Sequence, residues 1–372
     1  MDKVMEICRR FCFDGEAVEA EPYGCGHIND TYRVRCGRDG ADTRRYILQR
    51  VNGHVFRNIP ALMENVVAVT SFLRGEVLRA GGDPDRECLT LVPTTDGAAW
   101  MDDGAGGCWR AFLFIERAVT FQTAEKPEHL YYAGSAFGHF QRLLAGFPSA
   151  TLHETIPNFH NTASRYRDFE AAVAADPLGR AAGAAEEIAF VRARRDETGV
   201  LVGMLDSGAL PLRVTHNDTK LNNVMLDGET GRPVAVIDLD TVMPGSSLYD
   251  FGDSIRFGAN PAPEDETDLS KVYCDLGLYE QYTKGFLEEC GDMLTAEEIR
   301  LLSFGSRMMT LECGMRFLTD HLQGDTYFKV HREGHNLDRC RTQFKLVADM
   351  EAKKAEMDAI AARFLPAAKA EK

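Results

Sequence analysis

None of the ten cysteines in this sequence stands in a CxxC pair, and their spacing is scattered. Structural zinc and a disulfide framework are therefore not expected, and free thiols in a reducing cytosol fit best. No apolar stretch approaches the roughly 20 residues that a membrane helix needs. The opening MDKVMEICRRFCF is too charged for a secretory signal. Positive charge is also short: 42 Lys and Arg against 57 Asp and Glu leave a formal net charge of −15. That argues against nucleic acid or an anionic membrane as a partner. Internal repeats and low-complexity tracts are missing as well. The expectation is a cytoplasmic globular chain, a monomer, that works on small molecules.

What is present suffices for two lobes. The chain has 372 residues, of which 44% are hydrophobic and 27% charged, enough for a sizeable core. Residues 1 to 20 read as a short amphipathic helix. Thr31 to Arg35 and Arg45 to Val51 alternate as strands, with Gly24 and Gly26 in the turn before the first. Two glycines there let backbone N–H groups approach an anion closely, although many hairpins carry them for conformation alone. Residues 59 to 80 read as a long helix closed by Gly81 and Gly82. Residues 88 to 92 and 109 to 115 are further strands. From about 116 the character turns helical: 126 to 146, 176 to 206, 268 to 292, 296 to 323 and 337 to 364, with 243 to 260 a Gly- and Ser-rich loop. The fold class is thus α+β, with a small antiparallel-sheet lobe over 1–117 and a larger, mainly helical lobe over 118–372.

The most informative stretch runs from Val214 to Asp240. It reads as a strand, a polar loop, a strand at Val224 to Leu226, a Gly-containing turn, and a strand from Pro233 to Leu239. The hairpin is expected to bring Asp218, Asn223 and Asp238 together. Two acids and an amide there suit a divalent metal plus a general base.

The pattern His216-x-Asp218-x-x-x-x-Asn223 resembles the catalytic loop of protein kinases, where an Asp takes the acceptor proton and an Asn five residues on binds metal. Asp238, within Ile-Asp-Leu-Asp, matches the metal-binding Asp of the following loop. Both motifs stand in the form seen in aminoglycoside phosphotransferases and choline kinases. Across nearly the whole chain the sequence is similar to the N-acetylhexosamine 1-kinases of that group. The likeness is carried by YGCGHINDTY (23 to 32), YILQRVN (46 to 52), HVFRNIPALMENV (54 to 66) and IPNFHNT (156 to 162). It continues through THNDTKLNNVMLD (215 to 227), IDLDTVMPGSSLYDFGDSIRFGAN (237 to 260), MRFLTDHLQGDTYF (315 to 328) and NLDRCRTQF (336 to 344).

The resemblance implies a bilobal protein-kinase-like fold that uses ATP and Mg2+ to phosphorylate the anomeric hydroxyl of an N-acetylhexosamine. Asp218 would be the base and Asn223 and Asp238 the metal ligands. His216 would brace the loop. Lys220 either neutralises the transferring phosphoryl group or is merely solvated. The sugar would lie between His27, Asp218, Arg316 and Tyr327, with Phe257 near the ring or its acetamido group. Nucleotide contacts would come from Gly24 and Gly26, from Phe114 and Ile115, and from Gln49 or Arg50 with Glu64 as helix partner. Protein kinases place a lysine where this strand has Gln49, and Gln49 and Arg50 point to opposite faces. Asp250 and Asp253 are read as acids that brace the catalytic loop. Asp240 is either a second metal ligand or a flanking group. Two other readings stay open: a kinase of an aminoglycoside, choline, homoserine or another small alcohol, and an inactive relative that only binds.

Overall fold

A computed structural model describes residues 2–24 and 28–365. In chain order its elements begin with α1 (Asp2–Cys8), β1 (Glu16–Pro22), β2 (Asp30–Arg38), β3 (Ala41–Val51), α2 (Ile59–Ala80), α3 (Pro84–Glu87), β4 (Leu91–Val92), β5 (Met101–Asp102), β6 (Cys108–Leu113) and β7 (Ala118–Val119). Then come α4 (Pro127–Leu143), α5 (Thr162–Ala175), α6 (Ala185–Arg192), α7 (Val200–Asp206), β8 (Arg213–Thr215), β9 (Val224–Asp227), β10 (Pro233–Val236) and β11 (Met243–Gly245). The chain closes with α8 (Ser247–Gly258), α9 (Leu276–Cys290), α10 (Ala296–Arg300), α11 (Leu302–Gln323), α12 (His335–Ala352) and α13 (Lys354–Arg363). No helix among the described residues is long and apolar enough to cross a membrane.

The chain forms two compact units. One comprises Met1–Val119, Gly146–Ile156 and Met225–Met243; the other comprises Thr120–Ala145, Pro157–Val224 and Pro244–Lys372. The division is not a single cut near residue 117. The chain returns to the first unit twice, the second time with the β9–β10 hairpin and the turn that carries Asp238.

The first unit is built on a six-stranded sheet in the order β1-β2-β3-β6-β4, with β5 also on β6. Its pairings are antiparallel, so alternate side chains sort onto two faces. Tyr46 and Leu48 of β3 join Val34, Trp109 and Ala111 against Ile7, Cys8 and Phe11. On the other face Val51 and Cys108 pack with Phe56 and with Leu62 of α2. Asn58 caps α2 by accepting from the Ala61 N–H, and Gly81 ends it in the left-handed region at φ 81°. The expected helix over 1 to 20 stops at Cys8, and β1 follows. That edge strand, EAVEAEP, is too rich in acid to show apolar alternation, and charge is what keeps an edge from pairing with other chains.

The second unit is mainly helical, and two of its segments differ from expectation. The stretch 176 to 206 is broken into α6 and α7, with one 3-10 turn before α6 and one between the two, and glycines at 179, 183 and 199 interrupt the helical pattern. The expected loop over 243 to 260 is mostly α8. Ser246 caps that helix by accepting from the Leu248 N–H, and Leu248, Phe251 and Ile255 are fully buried. Its glycine serves packing: a Cβ on Gly252 would sit 2.5 Å from the Gly305 carbonyl of α11. Gly134 and Gly138 of α4 and Gly285 of α9 play the same part where those helices touch backbone to backbone.

Two stability outcomes follow from these contacts. A Cβ at Gly285 would fall on the Tyr131 carbonyl. Gly285→Ala is therefore expected to lower unfolding free energy by about 1–3 kcal/mol through overpacking, read by chemical denaturation. In the β9–β10 turn, Asp227 accepts from the N–H and hydroxyl of Thr230 and from the Glu229 N–H, and it pairs with Arg86. These contacts, the Thr230 N–H foremost, depress its acid from 3.8 to about 2. A depressed carboxylate stabilises the fold above its unfolded pKa and loses that contribution as pH falls through the folded one. Asp227→Asn should flatten the decline in stability between about pH 4 and 2; an unchanged slope would remove Asp227 as a contributor.

Candidate active site

The loop from His216 to Asn223 lies in the second unit, after β8. Its backbone is held by two buried carboxylates of α8. Asp250 accepts from the N–H groups of His216 and Asn217 at 2.9 and 2.8 Å, and from the Gln141 amide at 2.9 Å. Asp253 accepts from the Thr219 N–H at 3.0 Å and from Arg256. This is the bracing expected of the two acids. Burial pushes the Asp250 carboxyl up, while His216 and the two N–H donors pull against it. Burial pushes Asp253 up as well, but Arg256 and Lys220 outweigh it and hold the acid below its ordinary value. His216 is fully buried between the edges of Phe137 and Phe140, and its Nδ1 accepts from the Asp218 N–H at 3.3 Å. Asn217 takes φ 67°, a left-handed conformation that Asn tolerates and that bends the chain toward Asp218.

Asp218 and Asn223 meet. The Asn223 Nδ2 donates to the Asp218 carbonyl at 2.8 Å and to its carboxylate at 3.2 Å. Lys220 lies 2.8 Å from the other carboxylate oxygen. Burial disfavours that ammonium, yet Asp218 overcompensates and holds Lys220 above its ordinary pKa. Lys220 is thus an ion-pair partner of the expected base rather than a freely solvated side chain.

The first unit carries the other expected groups. Asp238 sits at φ 61° at the start of a 3-10 turn, Leu239–Thr241. Asp240 is buried in that turn, with its Oδ1 2.6 Å from Nη1 of Arg110 and its Oδ2 accepting from Asn29 at 2.7 Å. Gln49 shares this face of the sheet: its Oε1 takes Nε and Nη2 of Arg110, and its amide donates to Thr31. Arg50 points to the other face and lies 3.7 Å from Asp30. Glu64 does not act as the helix partner of this strand. It is exposed and bonds His153, because α2 turns Leu62, Met63 and Val66 inward. Gly24 has φ 79°, while Gly26 and His27 lie outside the described residues. Phe114 and Ile115 are buried, Phe114 between the ring of Tyr23 and the guanidinium of Arg45.

Of the expected acceptor residues, Arg316 and Tyr327 come together. They line a cavity of about 260 Å3 with Arg165, Asp168 and Phe328. The Arg316 guanidinium lies 5.4 to 5.8 Å from the ring centres of Phe159, Tyr327 and Phe328. Tyr327 is 67% exposed, so it is not a core residue. Asp218 and Phe257 are not among the residues around this cavity. Beside Arg316 on α11, Glu312 is buried against His160 at 2.8 Å and the Thr162 hydroxyl at 2.5 Å.

Residues 19–283, more than half of the chain, match the model of the phosphotransferase enzyme family. The chain belongs to this family. Solved structures of similar fold include a microcompartment-associated aminopropanol kinase, at 17% identity and a TM-score of 0.59 over 96% of this chain and 98% of that one. A choline kinase from Cryptosporidium parvum, at 12% identity, has a TM-score of 0.59 over 96% and 97%. A spectinomycin phosphotransferase solved with ADP and spectinomycin, at 14% identity, has a TM-score of 0.54 over 95% and 98%. The fold is therefore the α+β kinase-like one.

The donor set of this phosphotransferase suits Mg2+. Among the described residues no three His, Cys, Asp or Glu side chains cluster as a metal site. Mg2+ takes one or two protein oxygens and leaves the rest to phosphate and water. The Nδ2 of Asn223 faces Asp218, which turns its carbonyl oxygen the other way. That oxygen is a hard donor of the kind Mg2+ takes. Sequence reading missed Arg110; the local signal was one cation inside the apolar run WRAFLFI (109 to 115), which marks the residue but not its partners.

Bracing by Asp250 yields a direct test. Asp250→Ala strands two buried N–H groups, each worth about 1–3 kcal/mol. The variant should melt markedly earlier than wild type in a calorimetric scan. An unchanged melting temperature would show that the loop holds its shape without Asp250.

Proposed function

We propose that this phosphotransferase moves the γ-phosphoryl group of ATP to the anomeric C1 hydroxyl of an N-acetylhexosamine. The observation that carries the transfer itself is the hydrogen-bonded Asp218–Asn223 pair on a loop pinned by buried acids. Asp218 accepts the acceptor hydroxyl proton as the new O–P bond forms and the bond to the β-phosphate oxygen breaks, releasing ADP. Its ion pair with Lys220 holds the carboxylate in place at 2.8 Å. Asn223 and Asp238 would hold Mg2+, which would neutralise charge on the phosphates when bound. The short Asn223 to Asp218 bond keeps the metal ligand and the base on one rigid piece of chain.

The choice of a sugar over a cationic acceptor is supported by the Arg316 cavity. Arg165 and Arg316 line it beside Asp168 and Asp320, so the formal charges balance and a cation such as choline gains no net attraction there. Burial lowers the pKa of Arg165 and Arg316 lowers it further, which puts the two positive charges in one poorly solvated place. Flat faces of Tyr327 and Phe328 beside a guanidinium fork suit a pyranose ring with hydroxyl and acetamido oxygens.

The decisive measurement is ADP release with Mg2+-ATP and a panel of acceptors. N-acetylglucosamine or N-acetylgalactosamine should turn over, and choline and aminoglycosides should not; the reverse order would overturn the sugar reading. Asp218→Asn should retain ATP binding while turnover falls by about a hundred- to ten-thousandfold. Full activity in that variant would remove Asp218 from the chemistry.

A further inference from the structure

Protein kinases hold the nucleotide phosphates with a lysine on the third strand, fixed by a glutamate from the neighbouring helix. Both halves of that pair are missing from their usual places here. β3 offers Gln49, Arg50 lies on the opposite face, and Glu64 is bound to His153. We infer that the pair Arg110–Asp240 takes over this positioning task, and that Asp240 is committed to Arg110 rather than to metal. The inference rests on the ATP-dependent reading above.

The geometry supports it at each link. Gln49 and Arg110 are direct partners in the β3–β6 register. Cβ atoms of such a pair lie about 4.5–5.5 Å apart on one face. Nε and Nη2 of Arg110 reach Gln49 Oε1 at 3.1 and 2.9 Å, so the guanidinium occupies the space over position 49. Its Nη1 meets Asp240 at 2.6 Å, and the two side chains are only 2% and 4% exposed. That Asp240 oxygen has no well-aligned hydrogen bond, so charge rather than directed bonding joins it to Arg110.

Asp240 stands two residues after Asp238, in the same tight turn. Its second oxygen accepts from Asn29, whose own Oδ1 takes the N–H of Asn52 at the end of β3. One carboxylate thus ties three things together: Asn29 just before β2, the central strands, and the turn carrying Asp238. In the kinase arrangement the cation is anchored from a helix that can swing. Here it is anchored from the metal turn itself, so any disturbance of Arg110 is transmitted to Asp238. Arg110 is accordingly a positioning residue.

A double-mutant cycle tests this. Mg2+-ADP binding is measured by calorimetry for wild type, Arg110→Gln, Asp240→Asn and the combined variant, with melting temperature alongside. Each single change should weaken binding by about ten- to hundredfold, the range for groups that orient metal ligands. The combined variant should be no weaker than either, because it leaves no lone buried charge. If Asp240 were itself a metal ligand, Asp240→Asn would weaken binding whatever stands at 110, and the two losses would multiply. That result, or wild-type affinity in Arg110→Gln, overturns the inference. Arg110→Lys separates positioning from simple folding: it keeps the charge, so it should melt near wild type yet still bind Mg2+-ADP less tightly. Failure of the wild-type chain to bind Mg2+-ADP would instead sink the ATP-dependent reading.

Discussion

The structure around the chemistry depends on buried carboxylates that accept backbone N–H groups. A loop with a left-handed Asn217 and a buried polar face has many donors that no strand or helix can satisfy. Asp250 takes two of them and Asp253 a third, both from one helix. Leaving such groups unpaired in a water-poor interior is expensive, so the loop has essentially one conformation. The helix in turn is seated by Gly252 against α11 and by the chain Tyr282, Ser254 and the Thr219 carbonyl. The geometry of the loop is thus inherited from helix packing.

The first unit solves a different problem: how to keep a buried cation. Arg110 sits in the middle of a central strand, where an unpaired charge could not remain. Gln49 and Asp240 satisfy it from two sides, and Met63 of α2 lies against the same guanidinium. The arrangement exchanges the usual strand and helix partners for a neighbouring strand and a turn. A sheet permits this exchange because register brings the two strand positions side by side.

A third feature is the Arg316 cavity, where aromatic rings rather than carboxylates surround a guanidinium. Asp320 lines the same cavity, yet its oxygens are used by the N–H groups of Thr326, Tyr327 and Phe328 and by Asn336. That leaves Asp168 as the one lining acid not consumed in holding the loop, among the described contacts. Its two arginines and two aspartates balance in formal charge, within a chain whose formal net charge is −15.

By itself, the sequence determined the α+β class, the strands β2, β3 and β6, the full span of α2, and the meeting of Asp218 with Asn223, because periodicity and short spacings are local. It also marked Asp250 and Asp253 as braces and Arg316 and Tyr327 as neighbours. Tertiary structure alone decided the rest. Gly and Ser between 243 and 260 read as loop, since only the close approach of α8 to α11 shows why a helix needs them. The sequence offered Arg50 and Glu64 as a charge pair near position 49; strand parity and the rotation of α2 turned both away. In their place stands Arg110, some 60 residues downstream in sequence yet opposite Gln49 in the sheet. No local pattern could reveal that pairing, because register is fixed by burial on two faces at once.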